Sequence, residues 1–120
     1  MGNDMSLVMI IATRMEAEPF LTGLKVEEVE AKPFQVYLGN GVCILISGIG
    51  KVNAGMATGY ACLKFNPEWV LNVGAAGATV DSETLGRVYN INKTVEPDRI
   101  HLRTNSPYVQ FPDSLDGLMS

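Results

Sequence analysis

Three short stretches carry the residue types that could do chemistry: "MEAE" at 15–18, "SGIGK" at 47–51 and "NVGAAGA" at 72–78. Two nearby carboxylates can orient or deprotonate a water, and equally they can sit in the first turn of a helix and oppose its dipole. The glycine turns invite a phosphate test. A P-loop needs glycine five residues before its Gly-Lys pair and Ser/Thr after it; here those places hold Leu45 and Val52. A dinucleotide fingerprint fits Gly48 and Gly50 but meets Asn53 at its third glycine, and no acid follows at a strand end about 20 residues on. What remains for "SGIGK" is a strand-to-helix turn that uses glycine's backbone freedom, with the option of lying against a small ligand. The single histidine, His101, and the acids Asp113 and Asp116 of "DSLD" form no triad or ligand set, and Cys43 and Cys62 lack CxxC spacing. No metal site is expected.

The surrounding pattern shows what would position these stretches. "SLVMIIA" (6–12) is an apolar run of the kind found in strands covered on both faces. A helix is expected over 13–24, capped by Thr13, with Met15, Phe20, Leu21 and Leu24 at helical spacing; Pro19 favours a late start, with the proline in the first turn. "FQVYL", "GNG" and "VCILIS" (34–47) read as a hairpin. Over 50–65 the helix pattern puts Val52, Met56, Tyr60 and Leu63 on one side. Ala54, Ala57, Ala61 and Cys62 make a small-residue face that can lie close on a sheet. "WVLNV" reads as a further buried strand, "LGRVYNI" (85–91) as one more, and 93–120 as a loop-rich tail holding Pro97, Pro107 and Pro112. Strands alternating with helices imply an α/β fold: three layers, α/β/α, around a central mixed sheet. Ligands in such folds gather at the carboxyl ends of strands, where all three stretches fall.

At 120 residues the chain suits a single domain, and at 47% hydrophobic and 18% charged it can bury a core. A net charge of −4 without a Lys/Arg cluster argues against a nucleic-acid partner. No run approaches the length of a membrane span, and "MGNDMS" lacks the basic segment of a secretory leader, so no membrane association is expected. Both cysteines lie in apolar surroundings and read as buried free thiols; with the missing leader they point to the cytoplasm.

"SGIGKVNAGMAT", followed by "FNPEWVLNVGAAGA" and "LGRVYNI", resembles the N-terminal half of the nucleoside phosphorylase/nucleosidase superfamily. The likeness spans about 7–92 and is nearest to the branch of methylthioadenosine/S-adenosylhomocysteine nucleosidase and futalosine hydrolase. The resemblance implies cleavage of the N-glycosidic bond of a 5′-modified purine nucleoside such as methylthioadenosine, with no cofactor. Aligned on the family's "MEEE", Glu18 falls where a glutamate positions the attacking water. Glu16 is the alternative, because this sequence is one residue longer there. Ile49, with Gly50 beside it, matches the wall around the 5′ substituent. Ala75, Ala76 and Gly77 match the stretch lying against base and ribose. Ala75 stands where the family usually has the serine that phosphorylases use on phosphate, which favours hydrolysis; Ala78 replaces the family's last glycine, and Lys51 reads as a surface charge.

Such a reaction needs an acid for the departing base and a carboxylate for the water and the cationic sugar; apolar walls such as Ile49 would raise that carboxylate's pKa. The family's acid, an aspartate in a late "SD" motif preceded by a "MEA" glutamate, has no match here. The chain therefore reads as an apparently truncated, N-terminal portion, and turnover is not expected from it alone. The resemblance further implies a homodimer or higher homo-oligomer, with the proline-rich tail as a contact. A phosphate-dependent phosphorylase and a non-catalytic nucleoside-binding or oligomerisation module are the alternatives.

Overall fold

A computed structural model of the chain describes residues 5–78 and 85–96. Its elements run β1 (Leu7–Ile11), α1 (Arg14–Gly23), β2 (Glu27–Glu30), β3 (Gln35–Gly39), β4 (Val42–Ile46), α2 (Lys51–Phe65) and β5 (Trp69–Val73). The five strands form one sheet in the order β2-β3-β4-β1-β5. β1 pairs parallel with β4 and β5, and β3 pairs antiparallel with β2 and β4, so the sheet is mixed as expected.

Alternating residues of β1 supply two cores. Val8 and Ile10 join Val36, Cys43 and Leu45 under Ala57, Ala61 and Phe65 of α2, while Met9 and Ile11 join Tyr37 and Ile44 under Ala17 and Leu21 of α1. The continuous apolar run thus means what it should: a strand between two helical layers. Alanines at 57 and 61 let α2 approach the sheet closely. The hairpin turns through Asn40 and Gly41, both at positive φ (56° and 78°), the backbone a two-residue turn of right-handed strands demands.

Several expectations are corrected. Pro19 lies inside α1, not in its first turn. Its ring removes the N–H that would bond the Met15 carbonyl, but both residues face outward, where water can serve that oxygen. Met15 is 84% exposed, because the inward face of α1 is set by Ala17, Leu21 and Leu24, and a residue two before Ala17 points away. Cys62 is exposed: Ala57, Ala61 and Phe65 define the sheet-facing stripe of α2, and position 62 is turned off it. Tyr60 is part-buried against the core and tilts on Phe34, with ring centroids 5.5 Å apart. Cys43 is buried as expected, and burial pushes its thiol up to about 12.

β5 was expected to be buried but is an edge strand; Trp69 is 72% exposed, and Val70 and Leu71 are exposed beside it. An apolar run reports that something should cover a strand, not which residues do. The charged β2, which no apolar pattern announces, is the opposite edge, where carboxylates discourage further pairing.

The contacts divide the chain into two units, 1–77 and 78–120. In the second, Leu85 and Gly86 make a turn, with Gly86 at φ 83°, and Arg87 lies over the Tyr89 ring at 5.4 Å. Residues 85–91 are not a strand: the turn takes up the first two, and 87–91 are irregular. His101, Asp113, Asp116 and most of the expected tail lie outside the described residues.

Candidate functional site

β4, β1 and β5 are parallel neighbours, so the turns that follow them emerge on one edge of the sheet. Two bonds continue the β1–β4 ladder into these turns, Ser47 N–H to the Ile11 carbonyl at 2.9 Å and Gly48 N–H to the Ala12 carbonyl at 3.0 Å. "SGIGK" then needs its glycines. Gly48 has φ 90°, and a Cβ there would stand 3.0 Å from the Asn53 amide nitrogen, whose own bond is to the Ile49 carbonyl. Gly50, the N-cap of α2, has φ 103° and ψ 159°, a region essentially closed to other residues. This strand-to-helix geometry leaves Ile49 76% exposed and Gly50 exposed on the edge.

Between these turns and the turn of β5 lies Glu16. Thr13 is the N-cap of α1, and its hydroxyl accepts the Glu16 N–H at 3.2 Å. The same hydroxyl donates to Glu16 Oε1 at 2.9 Å. Glu16 Oε2 reaches across to accept the Ala75 N–H at 2.8 Å. A Cβ on Gly74 would stand 3.2 Å from that oxygen, so glycine leaves room for the carboxylate. The Ala75 N–H, then the Thr13 hydroxyl and backbone N–H, hold Glu16 below its ordinary value of 4.5 against the opposing effect of partial burial. An apolar enclosure would have raised it; here donors prevail, and the group is an anion at neutral pH.

The alternative carboxylate faces elsewhere. Glu18 accepts from Arg14 Nε at 2.9 Å on the exposed side of α1, and the Arg14 guanidinium lies over the Tyr37 ring at 5.7 Å. Ala75, Ala76 and Gly77 are all exposed at the end of β5. The structure therefore brings Glu16 to Ala75 and puts Ile49 and Gly50 on the same edge, while Glu18 is paired outward. The part played by Thr13 is the element the sequence reading missed. Thr-x-x-Glu, the capping-box pattern, was its legible signal. Among the described residues no three His, Cys, Asp or Glu gather as metal ligands, and no helix is long and apolar enough to cross a membrane.

Comparison with known proteins gives the family and the fold. A family model described as the phosphorylase superfamily matches residues 6–116. A 5′-methylthioadenosine/S-adenosylhomocysteine nucleosidase of Oceanobacillus iheyensis is 39% identical over 90 residues, covering 72% of this chain and 39% of that protein. One from a Geobacillus species is 42% identical over 60 residues, 50% of this chain and 26% of its own length. The nucleosidase of Neisseria meningitidis, crystallised with methylthio-immucillin-A, superposes with a TM-score of 0.71 at 29% identity over 91% of this chain and 50% of that one. The chain thus matches half or less of the length of these relatives.

Proposed function

Since the chain belongs to the phosphorylase superfamily, we propose that it supplies the nucleoside-facing wall and the water-orienting carboxylate of a nucleosidase that hydrolyses the N-glycosidic bond of a 5′-modified purine nucleoside such as methylthioadenosine. The observation that carries this reading is the reach of Glu16 from α1 to the Ala75 N–H, which ties the turn after β1 to the turn after β5. Glu16 is the carboxylate of this reading, and Glu18 is an outward partner of Arg14. In the reaction a water oxygen bonds to C1′ as the C1′–N bond breaks; the base leaves with a proton and the water gives one up. An anionic Glu16 orients that water by accepting its hydrogens and faces the positive charge growing on the sugar. Ile49 and Gly50 offer the 5′ group an apolar rim, and Ala75, Ala76 and Gly77 offer base and ribose a surface without bulk.

Two features favour water over phosphate. Ala75 has no hydroxyl for an anion, and its N–H is already given to a carboxylate, whose charge repels one. The test is adenine release from methylthioadenosine with and without phosphate. Any turnover is expected to be indifferent to phosphate, and turnover that requires it makes the protein a phosphorylase. Nucleoside bound without base release is the result expected of these residues alone, and the same result in a longer chain makes the protein a binding module.

Self-association belongs to the same reading. Val52, Met56 and Leu63 lie within about 40° of one another around α2 and are all exposed, a stripe suited to a second copy in a homodimer or higher oligomer. The unpaired cysteines, Cys43 and Cys62, fit a reducing, cytoplasmic setting.

A further inference from the structure

We propose that Thr13 is a positioning residue for Glu16: one hydroxyl caps α1 and also fixes the direction in which the Glu16 carboxylate points. The catalytic consequence rests on the nucleosidase reading above; the positioning itself does not.

In an ordinary capping box the N-cap side chain serves the N3 backbone N–H, and the N3 carboxylate reaches back to the N-cap backbone N–H. Thr13 goes further. Its oxygen accepts the Glu16 N–H at 3.2 Å, and its proton is then directed at Glu16 Oε1, 2.9 Å away. Oε2 is thereby turned to the Ala75 N–H at 2.8 Å. Each oxygen is assigned to a different element, Oε1 to the start of α1 and Oε2 to the end of β5. A carboxylate has about four acceptor sites, so lone pairs remain for a water. A free glutamate side chain samples many rotamers. Holding it in one, before substrate arrives, is the preorganisation that orientation-dependent catalysis requires. The charged neighbours on α1, Arg14 and Glu18, are joined to each other and do not compete for this carboxylate.

The test compares Thr13→Val, Thr13→Gly and Thr13→Ser. Valine keeps the shape and loses the hydroxyl; glycine also loses it but is nearly as good an N-cap, so α1 still forms. Serine keeps both bonds. The first readout is the NMR titration of the Glu16 carboxyl in the 120-residue chain, followed at the Ala75 amide, with α1 monitored by circular dichroism. Thr13→Val and Thr13→Gly are expected to move the midpoint up and to speed hydrogen exchange at the Ala75 N–H, with Thr13→Ser matching the parent. An unchanged midpoint and exchange rate in Thr13→Gly with α1 intact would overturn the proposal and leave Thr13 a helix cap. The second readout, in a chain long enough to turn over, is base release, where loss of orientation is expected to lower kcat by up to about 100-fold with KM little changed and with serine restoring it. Absence of base release is the result expected of these residues alone; failure of methylthioadenosine to bind is what would count against the nucleosidase reading, while the titration would still decide the role of Thr13.

Discussion

Glu16 divides its two oxygens between Thr13 on its own helix and Ala75 at the end of β5, and this division has a thermodynamic signature. Its pKa lies below the ordinary 4.5 because donors favour the ionised form. A carboxyl depressed in the folded state contributes stability above its unfolded pKa, and that contribution is lost as pH falls through the folded value. The stability gap between the parent chain and Glu16→Gln should therefore be widest above the ordinary value and should close on acidification, as read from urea midpoints across the acid range. Glu18→Gln should change the free energy of urea unfolding by less than about 0.5 kcal/mol, since its pair with Arg14 is half exposed to water. The family alignment put Glu18 ahead of Glu16, and spacing along a helix could not say which side chain a distant strand turn would meet.

Among the elements, β1, the hairpin and α2 were legible because each carries its own signal: an unbroken apolar run, Asn40-Gly41 between two runs, and alanines at helical spacing. The failures share a cause. Exposure of Met15 and Cys62, and of β5, depends on what packs against an element, and residues 85–91 carry a strand's composition that local pattern alone does not turn into a strand. The α2 start makes a local prediction: Gly50→Ala, at φ 103° and ψ 159°, should destabilise the chain by about 1–3 kcal/mol in urea unfolding. At the other end of α2 the Tyr60 hydroxyl donates to Glu30 Oε1 at 2.6 Å, and Lys64 pairs with Glu30 and donates to the Tyr60 hydroxyl at 3.2 Å, tying the β2 edge to the helix. Tyr60→Phe should cost about 1 kcal/mol by the same measurement.

At the scale of the whole molecule, the parallel run of β4, β1 and β5 turns three separated stretches into one edge, which is why motifs far apart in sequence can serve one ligand. The stripe of Val52, Met56 and Leu63 is the surface on which self-association is proposed. Met56→Glu should shift the chain toward monomer in sedimentation equilibrium without altering its circular dichroism; an unchanged association constant would place the contact elsewhere. Titrating the isotope-labelled chain with methylthioadenosine, and following its backbone amides, shows whether the three turns form one nucleoside wall around Glu16. Glu16, Ile49, Gly50, Ala75, Ala76 and Gly77 should shift together with a single dissociation constant. Shifts confined to the opposite edge, around Met5, Ser6, Asn66 and Glu68 where a shallow open cavity lies, would contradict it, as would a chain that does not respond to the nucleoside at all.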